Sequence, residues 1–229
     1  MKTAIVTGAT GNLGSAVVKK FIEEGFYVSG TVLHGDKSNP DSPTSSFEKI
    51  VVNLDDEKDS KTFVENVVKT HANIDVAVLT VGGFAMGSIA DTTTTDIKKQ
   101  YQLNFETAYN VARPVFDQMM KQGSGRIFMI GSKQGSSSKY GKGAVAYGLA
   151  KSLLFRLAEL MNAEAKGKNV VTSVVVPGTI DTPQNRKSMP DANFDSWVKA
   201  EDIADVIYWY CTDEAAMVRE PVIKVYNNG

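Results

Sequence analysis

The chain has 229 residues, 42% of them hydrophobic, and a formal net charge of −1. That length supports one sizeable core, so a single domain spanning residues 1–229 is expected. A charge near zero, with no basic run interleaved with aromatics, argues against a nucleic-acid or anionic-membrane partner.

In chain order, Thr3–Thr7 reads as a short buried strand, Gly8–Gly14 as a turn, and Ser15–Glu24 as an amphipathic helix through Ala16, Val17, Phe21 and Ile22, ended by Gly25. Tyr27–Leu33 is a second strand, followed by a polar loop over His34–Ser46. Ile50–Leu54 reads as a third strand, Ser60–Thr70 as a helix, and Ile74–Thr80 as a fourth strand stopped by Gly82-Gly83. Thr95–Met120 is a long helical stretch and Arg126–Ile130 a fifth strand. The serine-rich run Gly135–Ser138 reads as a mobile surface loop. Ala144–Ala165 is a further helix, Val170–Val176 a sixth strand closed by Pro177-Gly178, Glu201–Tyr210 a late helix, and Pro221–Tyr226 a last strand. This alternation predicts an α/β, single-domain Rossmann fold: a doubly wound, mostly parallel sheet with helices on both faces. Ligands in such sheets sit at the carboxyl ends of the strands, so the loops after Thr7, Leu33, Leu54, Thr80, Ile130 and Val176 should line one site. There is no internal repeat.

Two histidines and one cysteine offer no zinc pattern, so no metal is expected. Cys211 excludes an internal disulfide and suits a reducing, cytoplasmic setting; beside Trp209 and Tyr210 it reads as a small apolar residue. No apolar run reaches bilayer length, and the segment after Met1-Lys2 is too short for a signal peptide.

Gly8, Gly11 and Gly14 stand three apart between a strand and a helix, where backbone N–H groups and the helix dipole accept a pyrophosphate. Thr10, Asn12 and Leu13 belong to the same turn and are expected to line the cofactor. At the end of the second strand a carboxylate would suit the ribose hydroxyls of NAD, and a base the extra phosphate of NADP. The chain has Leu33 and His34 there, with Lys37 beyond, which favours NADP(H) and leaves NAD(H) open. Tyr147 and Lys151, four apart, fall on one helix face. A phenol titrates near 10, and an ammonium one turn away favours its ionised form, bringing it towards the range of a general acid or base.

The glycine turn, Tyr147–Lys151 and Pro177-Gly178, in this order and spacing, resemble the short-chain dehydrogenase/reductase family over essentially the whole chain. That resemblance implies hydride transfer between a nicotinamide and a carbonyl, alcohol or related double bond. By position it implies that Ser132 polarises the substrate oxygen, that Asn104 holds a water near the lysine, and that Tyr147 donates the proton. It also implies cofactor contacts from Lys151 and Tyr147, from Asn53 and Leu54, from Val81, Gly82 and Gly83, and from Pro177, Gly178, Thr179, Ile180 and Thr182. Leu79-Thr80-Val81-Gly82 departs from the family's usual Asn-Asn-Ala-Gly. The Ser132-to-Tyr147 interval is slightly long, which makes Gln134 the nearest substitute for the serine.

Asp181–Pro190 with Phe194 and Trp197, together with Gly11–Ser15 and Val81–Phe84, is similar to the family's dihydropteridine reductase branch. That branch, however, carries an acid near Val32 and lacks the serine and asparagine. The expected enzyme is therefore an NAD(P)H-dependent reductase of a small carbonyl or related conjugated substrate, with a lid over about 181–200; a pterin reductase and a non-catalytic NADP(H) redox sensor are the alternatives. The expected partners are a small-molecule substrate and further copies of the chain, as a homodimer or homotetramer through the two long helical segments.

Overall fold

The structure is a computed structural model in which residues 1–35 and 45–227 are described. Lys37 and most of the expected His34–Ser46 loop lie outside the described residues. The elements are β1 (Thr3–Thr7), α1 (Asn12–Glu23), β2 (Tyr27–Val32), β3 (Phe47–Val51), α2 (Glu57–His71), β4 (Val76–Leu79), α3 (Thr94–Tyr101), α4 (Thr107–Gln122), β5 (Ser124–Ile130), α5 (Lys133–Ser136), α6 (Ser138–Gly141), α7 (Val145–Glu164), β6 (Asn169–Pro177), α8 (Pro183–Ser188), α9 (Ala200–Trp209) and β7 (Val222–Val225).

The strands form one seven-stranded sheet in the order β3-β2-β1-β4-β5-β6-β7, and every neighbouring pair is parallel. The central strands are apolar and buried on both faces, as parallel strands covered by helices must be. On one face α2, α4 and α7 bury Phe63, Val64, Val111, Met119 and Leu154 against Ile5, Ala77 and Ile127. On the other, α1 and α9 bury Val17, Phe21, Ile203 and Ile207 against Val6, Val28 and Phe128. This is the single-domain, doubly wound architecture expected. The strand order reverses between β1 and β4, the chain adding β2 and β3 on one side of β1 and β4 to β7 on the other, so a crevice opens at their carboxyl ends.

Local signals account for the helix ends. The Asp56 side chain accepts from Asp59 N and starts α2, which has acids in its first turn and Lys69 and His71 in its last, matching the helix dipole. Thr93 and Asp96 form a reciprocal cap on α3, and α4 ends at Gly123 with φ +87°.

Three expectations shift. The third strand is Phe47–Val51 and not Ile50–Leu54, because β3 is an edge strand in register with Val28–Val32; Val52 and Leu54 turn inward beyond it and pack in the core with α2. The Thr95–Met120 stretch is interrupted by a π-helical turn over Gln102–Glu106, where the Thr107 hydroxyl donates to Leu103 O at 2.9 Å. The serine-rich run is folded into α5 and α6, capped by the Ser132 and Ser137 side chains. Among the described residues no helix is long and apolar enough to cross a membrane, and no group of three His, Cys, Asp or Glu is placed to hold a metal.

Candidate active site

The turn between β1 and α1 is built by close approach. Gly8 has φ +64°, and a Cβ on Gly14 would lie 2.0 Å from Gly8 O, so only glycine brings the start of α1 this near the end of β1. The α1 N-cap is Gly11, with no side-chain cap and no acid in the first turn. The amides at Asn12, Leu13 and Gly14 therefore head a helix whose dipole attracts negative charge. Thr10 lies half-buried in the same turn. Neighbouring strand ends hold it: Gly8 N donates to Thr31 Oγ1 at 3.2 Å, and Thr80 Oγ1 donates to Thr7 O at 2.6 Å. The Val81 side chain stands over Gly8. This cradle fits a dinucleotide pyrophosphate.

At the adenosine side of such a ligand, Leu33 and His34 are exposed just past β2. Asn53 is exposed and its N–H donates to Asp59 Oδ2 at 2.8 Å. Leu54 is buried, and Leu54 O accepts from Asn110 Nδ2 at 2.9 Å. Asn110, Thr31 and Thr80 thus shape the crevice although sequence reading missed them. A polar residue on the apolar face of α4 is the one signal that could have flagged Asn110.

The catalytic candidates converge where β4 and β5 end. The buried Asn104 side chain grips Gly83 twice, accepting from its N–H and donating to its carbonyl, both at 3.0 Å, and also donates to Gln100 Oε1 at 2.9 Å. The π-turn aims Asn104 at this loop, a common use of such bulges. A Cβ on Gly82 would fall 2.7 Å from Asn104 Oδ1 and 3.0 Å from Lys151 Nζ, so the loop backbone passes directly over both side chains. Lys151 is 4% exposed and donates to Ile130 O at 2.7 Å. Burial pushes its ammonium down to about 8.

Burial is the larger influence on the Tyr147 phenol and raises its pKa, while the neighbouring Ser132 side chain lowers it. This differs from the expected lowering by Lys151: the ammonium lies 5.9 Å from the Tyr147 ring centroid and is directed to Ile130 O. Ser132 also caps α5, its Oγ accepting from Gly135 N at 3.1 Å. The extra residues before Tyr147 coil into α5 and α6, and Ser132 stays beside the phenol. Phe84, not among the expected site residues, packs edge-on to Tyr147 with centroids 5.1 Å apart.

The segment after β6 is tied to β7 and to Val198. Pro177 pairs with Val225 and Gly178 N donates to Val225 O at 2.8 Å. Thr179 O accepts from Val198 N at 2.9 Å, and Ile180 bridges to Val198. Thr182 caps α8. The segment from Asp181 to Trp197 is internally stapled: Arg186 grips both Asp181 oxygens at 2.6 and 2.8 Å and lies 4.5 Å over the Phe194 ring, which packs on Trp197 at 4.8 Å. The pair keeps the Asp181 carboxyl below its ordinary range.

A hollow of about 260 Å³ lined by Lys2, Phe26, Tyr208 and Cys211 lies at the opposite, amino-terminal edge of the sheet. The glycine turn and the Ser132, Tyr147 and Lys151 side chains stand at the carboxyl ends of the strands, away from this hollow. Cys211 there behaves as the apolar residue expected: its thiol is pushed up to about 12 by burial and donates to Ile207 O at 3.3 Å.

The family model described as short chain dehydrogenase matches residues 2–193. The chain is 28% identical to a 3-oxoacyl-(acyl-carrier-protein) reductase of Thermotoga maritima, over 98% of this chain and 96% of that one. It is 26% identical to a dihydropteridine reductase of Dictyostelium discoideum, over 93% and 88%. A solved short-chain dehydrogenase/reductase from Serratia marcescens superposes with a TM-score of 0.86 at 22% identity, covering 99% and 97%.

Proposed function

The chain belongs to the short-chain dehydrogenase family and is an NAD(P)-dependent oxidoreductase, and on that premise we propose that it reduces a small ketone, aldehyde or related conjugated substrate, with Tyr147 as the proton donor. The observation that carries this reading is the meeting of Ser132, Tyr147 and Lys151 beside the Asn104-held loop. A bound nicotinamide would supply the hydride. Gly8, Thr10, Gly11, Asn12, Leu13 and Gly14 would hold its pyrophosphate. Leu33, His34, Asn53 and Leu54 would flank the adenosine. Val81, Gly82, Gly83, Lys151 and the Pro177–Thr182 segment would surround the nicotinamide half. His34 with no acid at the end of β2 supports NADP(H) over NAD(H).

Ser132 would hydrogen-bond the substrate oxygen as negative charge grows on it. Tyr147 would pass its phenolic proton to that oxygen. Burial keeps the phenol protonated at neutral pH, which is the state a donor needs. The Lys151 ammonium would then stabilise the phenolate left behind until solvent returns the proton. Asn104 would act by holding the Gly82-Gly83 backbone over the lysine rather than by contact with substrate. The Asp181–Ala200 segment would close over the substrate and exclude water.

Membership in an oxidoreductase family favours the enzyme over the non-catalytic sensor. The Dictyostelium relative keeps a conjugated pterin among the substrates to try. Exposed Tyr101, Tyr109, Leu149, Leu153 and Leu160 on the α3–α4 and α7 helices support a homodimer or homotetramer through these faces.

The test is a fluorescence titration with NADH and NADPH, then a carbonyl, quinone and pterin panel with the tighter one, using wild type and Tyr147→Phe. Turnover should fall by about 10²–10⁴-fold in the variant while cofactor binding is kept. Near-normal turnover would remove Tyr147 as the acid, and a clear NADH preference would remove the NADP assignment.

A further inference from the structure

Phe84 follows directly on the Gly82-Gly83 backbone that Asn104 grips, and the loop it opens is pinned again a few residues on. Gly87 N donates to Gly143 O at 2.8 Å and Val145 N to Gly87 O at 3.0 Å, while Thr92 Oγ1 donates to Ser88 O at 2.7 Å. Between these pins the chain has no need to be apolar, yet Phe84 is 60% exposed, Met86 81% and Ile89 81%. One exposed apolar side chain is ordinary. Three on a short, fixed loop, one of them touching the candidate acid, make a surface that a ligand would cover. Phe84 meets Tyr147 at 80° between ring planes, the favourable edge-to-face arrangement. That contact fixes the Phe84 ring and leaves the rest of it open beside the phenol.

We infer that Phe84 is a specificity-determining wall, against which a flat unsaturated ring next to the reducible bond is packed; the substrate class is an aryl or heteroaryl carbonyl compound. The inference rests on the carbonyl-reductase reading above. A saturated ring or an alkyl chain could cover Met86 and Ile89 equally well, but only a flat ring gains the additional aromatic pairing with Phe84.

Two ligand pairs of matched shape test it. Benzamide and cyclohexanecarboxamide, neither reducible here, are titrated by calorimetry into the nicotinamide-loaded protein, using wild type, Phe84→Ala, Phe84→Leu and Phe84→Trp. Acetophenone and cyclohexyl methyl ketone are compared in turnover. Wild type should prefer the flat member by roughly fivefold, the scale of one aromatic pair. The preference should collapse in the alanine and leucine variants and survive in the tryptophan variant. Circular dichroism checks that each variant is folded; the leucine variant keeps the apolar bulk if alanine disturbs the loop. Equal binding of the two amides to wild type, or a preference that persists in Phe84→Leu, would overturn the wall. Flat-ring preference in binding with no turnover of any carbonyl would leave the wall standing and refute the reductase reading. Turnover without ring preference would do the reverse.

Discussion

Replacing Lys151 by methionine should separate what this residue costs the fold from what it does in the site. Burial depresses the ammonium from its ordinary value near 10.5 to about 8. Below pH 8 folded and unfolded chains both carry the proton, and the folded state bears the whole desolvation cost. Between pH 8 and 10.5 only the unfolded chain still binds the proton, so this contribution makes stability rise with pH; above 10.5 the cost is gone. At about 1.4 kcal/mol per unit, the cost is roughly 3 kcal/mol. Methionine has similar length and no charge, but it leaves Ile130 O without its donor, a loss of about 1 kcal/mol at every pH. Lys151→Met should therefore be the more stable protein at pH 7, by about 2 kcal/mol, and lose that advantage by pH 10.5. Urea unfolding of both proteins at constant ionic strength from pH 7 to 10.5, followed by tryptophan fluorescence, measures the difference directly; tyrosine titrations common to both cancel. A stability difference that does not change with pH would refute the claim that a buried, costly ammonium sits beneath Tyr147.

Two further substitutions probe the scaffold. Gly14→Ala places a methyl 2.0 Å from Gly8 O and should destabilise the fold by roughly 1–3 kcal/mol, with at least about tenfold weaker reduced-nicotinamide binding; unchanged affinity by fluorescence titration would contradict the close-approach argument. Asn104→Ala removes both side-chain bonds to Gly83 and should cost about 1–3 kcal/mol. Hydrogen exchange at the Gly83 amide should speed up and kcat should drop more than KM rises, whereas unaltered exchange would show that Asn104 does not hold the loop.

Much of the site was legible because its signals are local. The glycine spacing that permits the β1–α1 approach lies within seven residues, and the Tyr147–Lys151 relation within one helical turn. Ser132 was legible from its place at a strand end, but its contact with Tyr147 depended on whether the intervening residues coil or spread. The folding of α5 and α6 decided that. Thr31 and Thr80 carried no pattern of their own, since each acts on a segment distant in sequence; Asn110 showed only as a polar residue on an apolar helix face, and Phe84 only as the end of the Val81–Phe84 run. The third strand was placed too late because Ile50–Leu54 is the more apolar run, while β3 is chosen by pairing with β2 at an edge, where burial counts for less.

Periodicity and glycine placement determined the layer architecture, the strand count and the edge of the sheet at which chemistry can occur, because backbone sterics and one-face burial act over a few residues at a time. The ionisation of the central pair was decided only by tertiary structure. In sequence, Lys151 is a cation that should lower the pKa of Tyr147. In the fold, packing desolvates both and turns the ammonium to Ile130 O, so the phenol stays protonated and the lysine itself becomes the strained group. Desolvation depends on everything that surrounds a side chain, and that is settled only when the elements come together.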